Sequence, residues 1–325
     1  MSVDKEIGLS LQELPKPLDQ LSVSELERKR QISAVTTRVL RYLTEKFTSL
    51  GFEWTLPVIF SKSTDPLWPD PGASIEKRIE AEMYEETVRT TLSMIVHKLV
   101  ACSLVYSKLF AISPNVRVEK RERKFTGWHL YEFTQLDFEA RSASSKDIME
   151  LIEVILQGMI EHLNADCSET LGSLRNDRLR VPTTPFDSFN REELVGRYGN
   201  EWESRLPIEI RDPVWVTNIP REFYDYQDLQ TQKWDNYDLY VPKYGEILSG
   251  SKREWEYDKI LTKMDRDLVP KENYALLLRL AREHRLKPSA GAGIGLERLV
   301  SWIVGVKHIA EVQPFPKIPG NVYDL

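Results

Sequence analysis

Gly291-Ala292-Gly293-Ile294-Gly295-Leu296-Glu297-Arg298-Leu299 is the stretch on which the fold turns. Glycine at every second position leaves one face of a strand without side chains, so a flat ligand or a helix can lie on the backbone. The strand predicted over 289–295 runs straight into a helix over about 296–305, where apolar residues recur at helical spacing. The dinucleotide fingerprint is excluded, because it needs glycine three residues after Gly293 and Leu296 stands there. A Walker loop is excluded as well, since no Gly-Lys-Ser/Thr follows. Arg298 falls in the first helical turn, where a cation opposes the helix dipole, so it calls for an anionic partner.

Working outward, residues 116–139 read VRVEKRERKFTGWHLYEFTQLDFE. Two strands, 115–120 and 128–140, are predicted to pair antiparallel across a charged turn. Period-two alternation places Arg117 and Glu119 on one face of the first strand. On the second strand His129, Phe133, Gln135, Asp137 and Glu139 share one face. A solvated face with cross-strand ion pairs is the plain alternative, but it leaves Phe133 and Gln135 without a role. A third stretch, Gly245 to Glu254 (GEILSGSKRE), follows Asp238 by one hairpin. Carboxylates and a hydroxyl suit Mg²⁺, which takes oxygen ligands, and Arg253 can grip a carboxylate with two parallel hydrogen bonds.

The chain opens with a capping box predicted at Ser24 to Glu27, then Ile32, Val35, Val39, Tyr42, Leu43 and Phe47 at helical spacing. Gly51 stops that helix, and a short strand ends at Pro57. Residues 63–74 are a Pro-rich loop. Helices are predicted at 90–106, 146–163, 255–263 and 272–285, with strands at 213–219 and 237–249. Residues 165–212 read as a polar, irregular insertion. Adjacent strands on short turns favour an α+β fold, an antiparallel sheet with helices on one side, in one large domain over 24–325 after an arm over 1–23.

Composition narrows the partners. The chain has 325 residues, 41% hydrophobic and 29% charged, with a net charge of −6. The basic cluster at 120–124 is short and interrupted by an acid, which argues against a nucleic-acid partner. Cys102 and Cys167 lie too far apart for a disulfide framework or a Cys-based zinc site. No run of about 18 apolar residues occurs, so no membrane-spanning helix is predicted. The start lacks a secretory pattern, and the expectation is a cytoplasmic protein.

Together these stretches resemble the catalytic core of the class II aminoacyl-tRNA synthetases, aspartyl/asparaginyl subgroup. The opening helix, strand and Pro57 look like its motif 1, residues 116–139 its motif 2 and residues 291–299 its motif 3. "TDPLWPDP", "NIPREFYD", "REWEYDKI", "LKPSAGAGIGLERL" and "KHIAEVQPFPKIPG" look more closely like the archaeal asparagine synthetase-related proteins, stand-alone paralogues of that core. The resemblance implies ATP bent on the sheet. Arg117 would hold the α-phosphate, Arg298 would reach the γ-phosphate, and Phe133 would carry the adenine. Glu119 and His129 would lie beside the nucleotide, with Gly291, Gly293 and Gly295 as its floor. Asp238, Glu246 and Ser249 would hold Mg²⁺. Ser93, Lys98, Gln135, Asp137 and Arg253 would bind aspartate, Lys98 and Arg253 clamping its side-chain carboxylate.

The implied activity is an ammonia-dependent asparagine synthetase, in which ammonia attacks β-aspartyl-AMP. The alternative is an adenylate-forming enzyme that passes aspartate or asparagine to tRNA or a protein. The implied partners are aspartate, ATP, ammonia and a second copy in a homodimer, with no tRNA and no membrane. Motif 1 begins within about 30 residues of the start, leaving no room for an anticodon-binding barrel of about 100 residues. Trp128 stands where the subgroup has arginine.

Overall fold

The computed structural model describes residues 14–66, 75–175 and 178–323. The expectations for the first part of the arm and for most of the 63–74 loop lie outside the described residues. One sheet organises the molecule: β1 (Glu53–Trp54), β2 (Lys108–Val116), β3 (Glu132–Arg141), β4 (Asp187–Asn190), β5 (Val214–Thr217), β6 (Asn236–Val241), β7 (Gly245–Lys252) and β8 (Ser289–Gly295). Their spatial order is β1-β2-β3-β8-β7-β6-β5-β4. The inner pairs are antiparallel, and only the edge pairs β1–β2 and β4–β5 are parallel. This is the expected α+β architecture of a class II synthetase core.

The first helix, α1 (Val23–Ser49), starts two residues earlier than its predicted cap. Ser22 accepts from Glu25 N, and Glu25 accepts from Ser22 N at 2.7 Å. The Ser-x-x-Glu pattern occurs twice in register here, and the first copy takes the end. Ile32, Val35, Val39, Leu43 and Phe47 are buried on the molecule's own sheet, with Ile152 and Met159 of α3 (Ser145–Asp166) and Phe110, Phe138 and Ala292 of the strands. That apolar face is therefore spent inside the chain and is not presented to a twofold mate.

Helices were expected on one side only. Instead α2 (Ile95–Leu104) lies on the opposite face, and Lys98 reaches from it to Asp137. Its Ile95, Val96 and Leu99 join a separate core with Phe223, Ile260 and Leu277. The predicted helix over 90–106 begins late because Glu86–Thr90 is a strand paired with Glu80–Met83. Tyr84 and Glu85 take positive φ at that turn, which composition does not announce.

The 165–212 segment departs most from expectation. It adds β4 to the sheet edge, and its α4 (Trp202–Glu209) packs on the β6–β7 hairpin. Trp202 meets Tyr240 with ring centroids 5.6 Å apart, and Lys243 N donates to Pro207 O. Leu194, Trp202 and Leu206 supply a small core with Val214 and Val216. These apolar residues are sparse and split between short helices, so no long periodic signal marks them. Among the described residues, no helix is long and apolar enough to cross a membrane.

Candidate active site

The glycine ridge is paired residue for residue with the polar face of β3. Gly291 lies opposite Glu139, Gly293 opposite Asp137 and Gly295 opposite Gln135. Pleating sends these side chains to one face, while Leu136 and Phe138 point to the core. The three glycines differ in what they permit. A Cβ at Gly291 would stand 2.2 Å from Phe138 O, whereas at Gly295 nothing lies nearer than 3.8 Å. At Gly293 the nearest atom would be Gln135 Nε2 at 3.1 Å. Gly291 thus serves close packing, Gly293 is crowded by the Gln135 and Asp137 side chains, and Gly295 borders open space.

That space is a cavity of about 190 Å³, lined by Gln135, Gly293, Gly295 and the expected nucleotide residues Arg117, Glu119, His129, Phe133, Glu246 and Arg298. The helix that follows β8, α5 (Leu296–Val304), aims Arg298 into it. Glu297 secures the aim, because its carboxylate accepts from Thr134 N at 2.9 and 3.0 Å and pins the first turn to β3. Sequence reading passed over Glu297, although it sits within the quoted motif.

Both cleft arginines donate to backbone carbonyls, and Arg298 also stands 3.9 Å from the part-exposed Glu246 carboxylate. Arg298 Nη1 donates to Glu246 O at 2.9 Å, and Arg117 Nη2 donates to Leu92 O at 3.0 Å. The Arg117 guanidinium lies 5.0 Å from the Phe133 ring centroid, on the aromatic residue expected to carry adenine. Exchanging a carbonyl for a phosphate oxygen converts a neutral hydrogen bond into a charge-assisted one, roughly twice as strong. Glu119 accepts from Arg123 at 2.8 Å, so the loop between the motif 2 strands covers the nucleotide side. Burial pushes the Glu119 carboxyl up, against the pull of Arg123. Burial, reinforced by Arg298, Arg123 and Arg117, brings His129 down to about 3, so its imidazole is neutral.

The floor beside this cleft is dry and ionic. Lys98 Nζ donates to Asp137 Oδ1 at 3.0 Å and Ala292 O at 2.9 Å, with Glu139 Oε2 at 4.0 Å. Arg253 donates to Asp225 Oδ1 at 2.6 Å, to Gly291 O at 3.0 Å and to Glu139 at 3.3 Å. Ser113 adds a 2.7 Å bond to Asp137, and Ser289 a 2.8 Å bond to Glu139. Two cations therefore face three carboxylates. Asp225, contributed by the 218–225 segment, was not anticipated, although Arg221, Glu222 and Asp225 crowd three ionisable groups into a short inter-strand run. Burial and the neighbouring Asp65 raise Glu222 to about 8. Ser93 stands apart from the cleft lining, and its Oγ accepts from Ile95 N at the start of α2.

Asp238 lies directly across the ladder from Ser249, and Glu246 follows on the same hairpin. Asp238 is held by Arg221, yet its Oδ1 is buried without a hydrogen-bond partner. An orphaned carboxylate oxygen beside a second carboxylate and a hydroxyl fits a hard divalent cation. Among the described residues no three His, Cys, Asp or Glu side chains form a metal cluster by themselves. Mg²⁺ is commonly held by one or two carboxylates plus substrate phosphates, so the donor set here agrees with that mode.

Residues 21–319 match the family described as tRNA synthetases class II (D, K and N). The chain belongs to that family. It is 28% identical over 247 residues to an asparagine–tRNA ligase of Metamycoplasma arthritidis, covering 67% of this chain and 54% of that protein. An asparagine–tRNA ligase of Thermoplasma acidophilum is 27% identical over 237 residues, covering 66% and 54%. The chain spans about half the length of these curated relatives. In fold it is similar to the asparaginyl-tRNA synthetase of Pyrococcus horikoshii complexed with asparaginyl-adenylate. The TM-score is 0.82 at 24% identity, covering 97% of this chain and 76% of that one.

These findings correct the expected activity. The relatives are tRNA ligases, so the ammonia-dependent aspartate ligase and the exclusion of tRNA are both withdrawn. The preference for aspartate as the substrate fails at the same point. Lys98 and Arg253 were counted as two cations in search of a substrate carboxylate, but the fold already matches them with Asp137, Glu139 and Asp225. Neither the composition nor the spacing of 98 and 253 reveals partners that two other segments, β3 and 218–225, bring in.

Proposed function

We propose that the protein activates asparagine or aspartate with ATP as the aminoacyl-adenylate and transfers the aminoacyl group to tRNA. The observation that carries this reading is the juxtaposition of two sites on one sheet face. A cleft with two arginines on exchangeable carbonyl acceptors adjoins a buried floor rich in carboxylates. The floor carries one carboxylate more than it has cations, which supports a neutral side-chain amide over a further carboxylate.

In the first step the amino-acid carboxylate attacks the α-phosphorus, and pyrophosphate leaves as the new P–O bond forms. Arg117 and Arg298 stabilise the negative charge that develops on the phosphates. Neutral His129 can donate one hydrogen bond there without taking up a proton. Gln135 and Asp137, on the face shared with Gly293, orient the ammonium and carboxylate ends. Asp238, Glu246 and Ser249 would hold Mg²⁺, which supplies charge neutralisation for the phosphates. In the second step a ribose hydroxyl of tRNA attacks the acyl carbon and AMP leaves. A dimer would form beside the edge strand β1, where Trp54 is 58% and Leu56 89% exposed.

The test is ATP–pyrophosphate exchange with asparagine and with aspartate, followed by charging of total tRNA. The expected result is exchange that depends on one of these two amino acids, and label that becomes acid-precipitable with the RNA. Absence of exchange with both would overturn the assignment.

A further inference from the structure

A second cavity, of about 340 Å³, opens beyond the C-terminal end of α5. Its wall carries Arg175, Arg178, Arg180, Arg211 and Lys243, and among the described residues Asp212 is the one acid that lines it. A local surplus of this kind stands out on a chain whose net charge is −6. The cations are not equivalent. Arg175 is structural: it donates to Trp302 O and, at 2.7 Å, to Ile303 O, closing the end of α5. Arg180 is tied to Asp212 at 3.4 Å. Arg178, Arg211 and Lys243 are exposed on the rim. The volume is that of a ligand pocket, and the lining is too basic for an apolar small molecule.

Position supplies the second argument. Tyr244 lines this cavity, and Trp128 lines the cleft that holds Arg117 and Arg298. Their rings meet edge to face with centroids 5.2 Å apart, so one aromatic pair forms the wall between the two cavities. Arg298 Nη2 points back to Trp128 O from the cleft side. Anything anchored in the basic cavity therefore sits within a few nucleotides of the place where the adenylate would form.

We infer that the cavity holds backbone phosphates of the RNA strand whose end enters the cleft, with Arg178, Arg211 and Lys243 as its phosphate contacts. This rests on tRNA being the acceptor, and it assigns to the 165–212 insertion and the 242–244 turn the task of gripping that strand. The contacts are to phosphates and carry no base specificity, so they add affinity and a steep salt dependence.

The experiment compares the full-length protein with the triple variant Arg178→Gln, Arg211→Gln, Lys243→Gln. Filter binding of total tRNA is measured from 50 to 300 mM KCl, about the range over which phosphate contacts weaken steeply. Each lost phosphate contact lowers the slope of log K against log salt by roughly 0.7–0.9. The variant should show a slope shallower by about 2 and at least about tenfold weaker binding near 150 mM salt. Its ATP–pyrophosphate exchange should equal that of the parent, since none of the three residues lines the cleft. A variant that binds tRNA with the parent's affinity and slope overturns this inference alone. A parent that exchanges pyrophosphate but binds no tRNA overturns the acceptor and this inference with it. Binding of inorganic pyrophosphate that the variant loses while keeping tRNA would assign the cavity to a free polyphosphate and overturn the RNA reading.

Discussion

The floor and the cleft share one sheet face, yet their charges are held in opposite ways. Lys98 and Arg253 are buried and matched to carboxylates, and each also donates to a backbone carbonyl. Arg117 and Arg298 are partly exposed and donate to backbone carbonyls, and the carboxylate that pairs with Arg298, Glu246 at 3.9 Å, is itself part-exposed. Removing a partner from a dry pair strands a charge in low dielectric, while moving a cleft arginine to a phosphate strands nothing. The difference separates residues that define the pocket's shape from residues free to follow a reacting phosphate.

The largest effect should come from the floor. Lys98→Met or Arg253→Met leaves a buried carboxylate unpaired, and such losses typically cost about 3–5 kcal/mol of stability. Urea unfolding should show a much lower midpoint in both variants. An unchanged midpoint would mean that the floor is wet and exchangeable like the cleft, and the contrast would be lost.

Arg117→Ala and Arg298→Ala should do the reverse. Losing one preorganised charge from a transition state lowers the rate on the order of 10²–10³-fold. ATP–pyrophosphate exchange should fall by that factor, with unfolding free energy within about 1 kcal/mol of the parent, since the bonds lost are to backbone carbonyls and the Arg298–Glu246 pair is part-exposed. A stability loss as large as that of the floor variants would place these arginines in the same class as Lys98.

The glycine ridge crosses both regions and sharpens the boundary between them. Gly291→Ala pushes a methyl group into Phe138 O and the Glu139 carboxylate, an overpacking of about 1–3 kcal/mol or more. Gly295→Ala meets open space and should leave stability unchanged while raising the KM for ATP. Thermal melts of the two variants side by side decide the matter. Equal melting temperatures would show that the ridge is uniform.

The smallest effect is a pH dependence. His129 sits at about 3 in the folded chain, below the ordinary value near 6.5, because burial and three arginines disfavour its cation. The unfolded chain takes up the proton first, so this contribution is complete above about pH 6.5 and is lost as pH falls toward 3. Between pH 7 and 5.5 it amounts to about 1 kcal/mol. The parent should lose that much more stability over this range than His129→Gln. Parallel curves for the two proteins would put a charged imidazole in the cleft.

Much of the cleft was legible in the chain because period-two alternation is a local property. The glycines, the Arg117–Glu119 pair and the run from Phe133 to Glu139 declare their faces without reference to any other segment. The ladder then set the glycines opposite the polar face of β3, whereas the expected pairing of 115–120 with that strand stops at Val116, because Val118 and Glu119 pair with Ile75–Lys77. The strand-to-helix passage at Gly295 was equally local, since a period of two gives way there to 3.6. The insertion was not legible, because its apolar residues are few and its strand is an edge strand of Asp187–Asn190 that is half polar.

What the sequence determined alone was thus the strands and helices around the glycine ridge, the face its polar residues take and the membership of a synthetase family. What only the tertiary structure decided was the state of the charges. Lys98 meets Asp137 across 39 positions, and Arg253 meets Glu139 across 114. A cation's partner depends on which segments fold onto it. Because an ion pair in a dry interior is neutral to a substrate while an open one is not, the reading of the substrate changed with the fold.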